Sequence, residues 1–191
     1  MRLGSTHDTL LLFSNKGKVF GIKVLELPEA SREARGKSVK ALLNLAQEEK
    51  ITAMTAVKEF TESQAIVMIS REGILKKSNL DIFENARKGG IIAINLRKED
   101  ELINVCLVNP DDDVIIGSQE GLALRTNLAR MRSQGRSAAG IIGMRLDKDD
   151  AIVGMDVVKK NLERMGGDIL VESEVGVGTT MTLTLNPGPP K

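Results

Sequence analysis

The sequence contains no tryptophan and no tyrosine, and its aromatics are limited to Phe13, Phe20, Phe60 and Phe83. The stacking platforms on which single-strand binders lay out bases are therefore largely missing, and an aromatic sugar-binding cleft is equally excluded. A single cysteine, Cys106, leaves no internal disulfide framework and no cysteine zinc cluster. A single histidine, His7, argues against a histidine metal site or a histidine-based catalytic dyad. An excess of one charge is lacking too: 27 Lys+Arg face 26 Asp+Glu, for a net charge of +1. Bulk charge alone cannot hold nucleic acid or a membrane, so any such binding requires charge sorted onto one face. No apolar run approaches the roughly 20 residues of a spanning helix, and no secretory pattern opens the chain, so a soluble cytoplasmic protein is expected. What remains is ample for a core: 191 residues, 41% of them hydrophobic and 28% charged, enough for one large domain or two small ones.

One unit occurs three times. Its first mark is an apolar run ending in Ser-x-x-Gly: residues 10–13 then Ser14 to Gly17, 66–69 then Ser70 to Gly73, and 114–116 then Ser118 to Gly121. Each predicts a buried strand entering a tight turn whose glycine takes positive φ. A second strand follows at 18–25, 74–80 and 122–128. Next comes a glycine among basic residues, at Arg35-Gly36-Lys37, Arg87-Lys88-Gly89-Gly90 and Gly135-Arg136, the last leading to Gly140. A third strand is expected at 39–45, 91–96 and 141–146, closed by an acidic turn, and a fourth at 51–57, 102–108 and 152–158. The fourth strands start at Ile51, Leu102 and Ile152, 51 and 50 residues apart. Four strands per unit at that period predict a mainly β fold of three propeller-like blades, at about 8–57, 58–108 and 109–157.

The charges follow the repeat. Basic residues gather on the second strand and the loop after it: Arg32, Arg35 and Lys37; Lys76, Lys77, Arg87 and Lys88; Arg125, Arg130, Arg132 and Arg136. Acidic residues gather between strands three and four, as in Glu48-Glu49, Glu99-Asp100-Glu101 and Asp149-Asp150. If the units stack alike, one edge becomes positive and another negative. A positive rim with glycines suits contact with phosphates, which contributes most to duplex DNA affinity, and contacts repeated along a curved rim favour bent duplex. The same residues also fit a blade scaffold that is inert or binds protein.

Residues 6–19 (THDTLLLFSNKGKV), 27–37 (LPEASREARGK), 73–77 (GILKK) and 136–146 (RSAAGIIGMRL) resemble the C-terminal domain of the bacterial DNA gyrase A protein, a likeness that runs through about residues 5–157. The resemblance implies a β-pinwheel, a propeller-like ring whose blades exchange strands and whose positive perimeter wraps duplex DNA for negative supercoiling by a type IIA topoisomerase. It implies that the eleven basic residues named above face DNA phosphates, with double-stranded DNA and the rest of a gyrase assembly as partners. The family's full ring has about six blades, against three units here. Its basic box, a Gln-Arg-Arg-Gly-Gly type run, does not occur in this sequence. The parent enzyme's strand breakage uses a tyrosine, and this sequence has none. A noncatalytic piece is expected, with no catalytic residue, no cofactor and no metal, and with self-association as one route to completing the ring.

After Val158 the pattern changes. Residues 157–165 carry apolar Val158, Leu162 and Met165 at helical spacing and stop at Gly166-Gly167, as a helix would at its C-cap. Residues 169–175 and 179–185 alternate as the strands of a hairpin, and 187–191 read as a disordered tail. Residues 154–167 with 172–180 resemble the end of a chemotaxis-type histidine kinase ATPase domain, which implies a helix-hairpin appendage over 158–186 and a chain that joins two families. Cys106, flanked by Val105 and Leu107, is expected to be a buried, inert thiol.

Overall fold

A computed structural model of the protein describes residues 5–29, 38–159, 168–174 and 178–184. In chain order its strands are β1 (Thr9–Ser14), β2 (Lys18–Lys23), β3 (Ile51–Val57), β4 (Ala65–Ser70), β5 (Ile74–Asn79), β6 (Ile91–Ile92), β7 (Leu102–Val108), β8 (Asp113–Ser118), β9 (Ala123–Asn127), β10 (Ile141–Ile142), β11 (Ile152–Val158), β12 (Asp168–Glu174) and β13 (Gly178–Thr184). The sheets run β3-β1-β2-β6, β10-β5-β4-β7 and β11-β8-β9, and β12 pairs with β13 in a separate two-stranded sheet. Every strand pairing is antiparallel.

The Ser-x-x-Gly signal works as a turn. Gly17, Gly73 and Gly121 stand at φ +75, +83 and +85°, a region that costs an L side chain energy and glycine none. Their amides donate to the carbonyls of Ser14, Ser70 and Ser118 at 3.0–3.2 Å. The same serines accept a second bond through Oγ, from the amides of Lys18, Ile74 and Leu122. Serine thus satisfies both ends of the hairpin turn, which explains its recurrence.

The third strand departs from expectation in length and in destination. Instead of 91–96 and 141–146, the ladders hold Ile91–Ile92 and Ile141–Ile142. Neither pairs within its own unit: Ile91–Ile92 lies on Lys18 and Val19 of the first sheet, and Ile141–Ile142 on Ile74 and Leu75 of the second. The amides of Ala93 and Ile94 then converge on the Gly17 carbonyl, and those of Gly143 and Met144 on the Gly73 carbonyl, which ends each ladder after two residues. Residues 39–45 form no strand; Val39–Ala41 is a 3₁₀ turn, with the amides of Leu42 and Leu43 both donating to the Val39 carbonyl. Among the described residues the third sheet has three strands rather than four.

The core lies between sheets. Along β4, Ile66 and Met68 pack toward the first sheet with Leu11 and Phe13, while Ala65, Val67 and Ile69 pack toward the third with Val114 and Ile116. Buried on both faces, β4 has six buried residues in a row, whereas β8 alternates buried and half-buried because nothing described covers its outer face. A smaller cluster of Leu12, Phe20, Ile22 and Leu43 fills the far side of the first sheet.

Gly90 shows how tightly the exchanged strand is seated. It stands at φ +73°, and a Cβ built there would meet the Phe20 ring at 2.5 Å, while one built on Gly89 would meet nothing within 4 Å. Gly90→Ala is expected to lose about 2–4 kcal/mol of stability and Gly89→Ala less than about 1, read from urea denaturation of the two variants side by side.

Two sequence expectations near the C-terminus meet different outcomes. Val157 and Val158 finish β11 rather than start a helix, and the remainder of the expected helix lies outside the described residues. The expected hairpin is present, with Asp168 opposite Thr184 and Glu174 opposite Gly178. Cys106 is half-buried rather than buried, its thiol 3.7 Å from the Met155 carbonyl.

Candidate nucleic-acid interface

Because the exchanged strand is the outermost in its sheet, the basic loop before it is carried to the perimeter of the preceding blade. The loop ending at Gly90 lies across β2: the Arg87 carbonyl accepts from the amides of Gly21 and Gly90. A Cβ on Gly21 would stand 2.4 Å from the Ala86 carbonyl oxygen, so no larger residue fits beneath the loop. The loop of the third unit lies across β5 in the same manner. Gln134 donates its amide to the Lys77 carbonyl at 2.8 Å, and Ser78 Oγ donates to the Gln134 carbonyl at 2.9 Å.

The basic residues divide into two groups. Arg87, Lys88, Arg125, Arg130, Arg132 and Arg136 are exposed. Arg130, Arg132 and Arg136 make no side-chain hydrogen bond or ion pair with any described residue. Arg87 folds its Nη1 back onto the carbonyls of Glu84 and Ala86, both at 2.8 Å. Lys88 pairs with Glu26, whose carboxyl is held below the usual range chiefly by the hydrogen bond from that lysine. Arg125 binds Asp113 through Nε and Nη2 at 2.8 and 2.7 Å. Arg32, Arg35 and Lys37 lie outside the described residues.

Lys76 and Lys77 belong elsewhere, which corrects the expectation that they face phosphate. Lys76 is 0% exposed. Its Nζ donates to the carbonyls of Ala93 at 2.7 Å, Arg136 at 2.6 Å and Ala138 at 3.1 Å. Burial lowers its ammonium to about 8. One side chain therefore ties the basic loop of the third unit to β5 and to the segment after β6. Lys77, also buried, donates to the Leu128 carbonyl at 2.7 Å, and burial again pulls its ammonium down. A buried ammonium is tolerated when oxygen atoms engage its protons; Lys76 has three such acceptors and Lys77 one.

The acidic turns hide a similar division. Glu49 and Asp100 are buried, and they act inside the fold rather than on a negative edge. Glu49 accepts from Ser14 Oγ at 2.6 Å and from the Ala46 amide. Asp100 Oδ1 accepts from the amides of Glu72 and Glu101, and Asp150 Oδ1 from those of Glu120 and Ala151. Each thus pins its own turn, and Asp100 and Asp150 also pin the neighbouring hairpin turn. A basic cleft outside the eleven expected contacts gathers Lys16, Lys18, Arg97 and Lys98. Arg97 and Lys98 follow an exchanged strand, so they stand beside the first unit's turn and not their own. Among the described residues no helix is long and apolar enough to cross a membrane, and no group of three His, Cys, Asp or Glu is placed to hold a metal ion.

Radial four-stranded sheets, each closed by a strand from the next unit, define a β-pinwheel, the strand-exchanged form of the propeller. The family described as DNA gyrase C-terminal domain, beta-propeller, matches residues 8–58, 64–109 and 112–159, and the chain belongs to it. The DNA gyrase A protein of Leptospira biflexa is 56% identical over 135 residues, 70% of this chain and 16% of that protein. The Buchnera aphidicola gyrase A protein is 40% identical over 176 residues, 92% of this chain and 20% of that protein. The chain thus spans a fifth or less of the length of these relatives. A solved C-terminal domain of DNA topoisomerase IV superposes with a TM-score of 0.76 at 26% identity, covering 87% of this chain and 50% of that one. A solved DNA gyrase A C-terminal domain gives 0.70 at 26% identity, covering 91% and 54%.

Proposed function

We propose that this chain binds duplex DNA without regard to sequence and bends it around its perimeter, as a noncatalytic part of the DNA-wrapping domain of a gyrase A protein. The parent would be a cytoplasmic type IIA topoisomerase that supercoils DNA, and the remaining partners are the other parts of the gyrase assembly. The observation that carries this reading is the repeated seating of a basic loop across the second strand of the preceding unit, β2 for one loop and β5 for the other. Exposed cations then recur around a curved rim although the net charge is only +1. The contacts assigned to phosphate are Arg87, Lys88, Arg125, Arg130, Arg132 and Arg136, with Arg32, Arg35 and Lys37 assigned to the equivalent loop of the first unit. Lys76 acts behind them by holding the loop that bears Arg136.

The affinity of the full chain for a short and a long duplex across a salt series tests the reading. Wrapping gives affinity that falls steeply with salt and rises on the longer duplex by more than the added number of sites. Binding that is absent, or flat with salt, would leave a blade scaffold without a nucleic-acid role.

A further inference from the structure

The outermost strands of the two closed sheets carry apolar side chains on the same rim as the basic loops. We propose that the groove crossing the junction of these sheets receives one sugar–phosphate strand of the duplex, with Ile92 and Ile142 packing on its sugars and Arg97 and Lys98 holding its phosphates. The basic loops then hold the opposite strand. This inference rests on the DNA-binding reading above.

Three of the four residues in β6 and β10 are exposed isoleucines: Ile92 at 50%, Ile141 at 49% and Ile142 at 59%. Ile91 packs on the core, and the alternation of a strand turns Ile92 outward. Ile92 lies opposite Lys18, and Ile142 opposite Ile74, each the first residue after a turn glycine. Ile92 lines one cleft with Lys18 and Lys98, and Ile142 lines a second with Ile74. Leu96 and Arg97 line both, so the two clefts form one groove across the blade junction. A lone exposed isoleucine is ordinary; exposed isoleucines at equivalent positions of successive blades, bordered by cations, make a surface.

The cations of this groove are loosely held. Lys98 makes no side-chain hydrogen bond or ion pair with any described residue. Arg97, its side chain 70% exposed, meets Glu72 at 3.6 Å, and Lys18 meets Glu49 at 3.7 Å. Both separations exceed a hydrogen bond, whereas Arg125 holds Asp113 at 2.7 Å. A sugar–phosphate strand presents apolar and anionic surface together, and so matches a groove with an apolar floor and basic walls. Spacing agrees as well. The loop bearing Arg87 lies over Gly21, three residues along β2 from Lys18, about 10 Å in a strand. The grooves of the duplex are about 6 and 12 Å wide, so long side chains on either side of β6 reach the two backbones that border one groove.

A competition titration of the full chain against duplex DNA over a salt series tests the assignment, because charge and apolar contact leave different marks. Arg97→Gln with Lys98→Gln flattens the slope of log affinity against log salt by about 2. Ile92→Thr with Ile142→Thr keeps the branched side chains that a strand favours; affinity falls about tenfold at every salt concentration and the slope stays unchanged. All four side chains are exposed, so the melting temperatures stay with the parent. If the parent itself fails to bind, or binds without salt dependence, the DNA-binding reading falls and this inference with it. If the parent binds with a steep slope and either double variant matches it, that reading stands and the groove assignment is overturned.

Discussion

Replacing Arg87, Lys88, Arg130, Arg132 and Arg136 together by glutamine lowers duplex DNA affinity by about three orders of magnitude at low salt and weakens every sequence alike. Each phosphate contact releases condensed counterions, so losing five flattens the slope of log affinity against log salt by about 4–5. All five are exposed and none anchors the core, so the melting temperature should stay close to that of the parent. A competition titration with duplexes of unrelated sequence, repeated at several salt concentrations, provides the check. Selective loss on one sequence would mean that these side chains read bases, and an unchanged slope would place the interface on another face. Lys88 should contribute least of the five, because in the free protein Glu26 competes for its ammonium.

Lys76→Met should rank with Gly90→Ala as the most damaging of the single changes in the exchanged region. It removes the donor shared by the carbonyls of Ala93, Arg136 and Ala138. An unmet buried carbonyl costs about 1–3 kcal/mol, and relief of the ammonium's desolvation offsets part of the sum, leaving a loss of about 2–4 kcal/mol. The pH dependence separates this role from simple space filling. Folding lowers the ammonium from its ordinary 10.5 to about 8, so between those values the unfolded chain binds more protons. Stability contributed at this site therefore rises as pH climbs from about 8 to about 10.5, and Lys76→Met lacks that rise. Urea denaturation at pH 7, 8.5 and 10 measures both effects; a variant that keeps the parent's slope would show that another group titrates there.

The hairpins are legible in the sequence because Ser-x-x-Gly encodes its own turn: one residue supplies two acceptors and another a positive φ, all within four positions. The destination of the third strand is not legible. Ile91 and Ile92 are apolar whichever sheet they join, and local pattern carries no information about the partner. Resemblance to a strand-exchanging family supplies that expectation, and the register supplies the addresses. Lys76 misleads for a different reason, because a charged side chain within a strand looks exposed when taken alone. Its equivalents Phe20 and Leu124 are both apolar, so aligning the units position by position marks residue 76 as interior. The acidic turns carry the same lesson, since a cluster of carboxylates in the sequence conceals one member per turn committed to backbone amides.

Strand exchange also constrains how such a chain can grow. A sheet such as β10-β5-β4-β7 is not a contiguous stretch of sequence, because β10 lies beyond β8 and β9 of the following sheet. A duplication cut at the boundaries of one sheet's contiguous part would copy an acceptor edge without its closing strand. A cut placed before each Ser-x-x-Gly hairpin instead copies a segment that closes the sheet before it and opens a place for the sheet after it. Blades of this kind can therefore be added or lost in register only as whole offset segments.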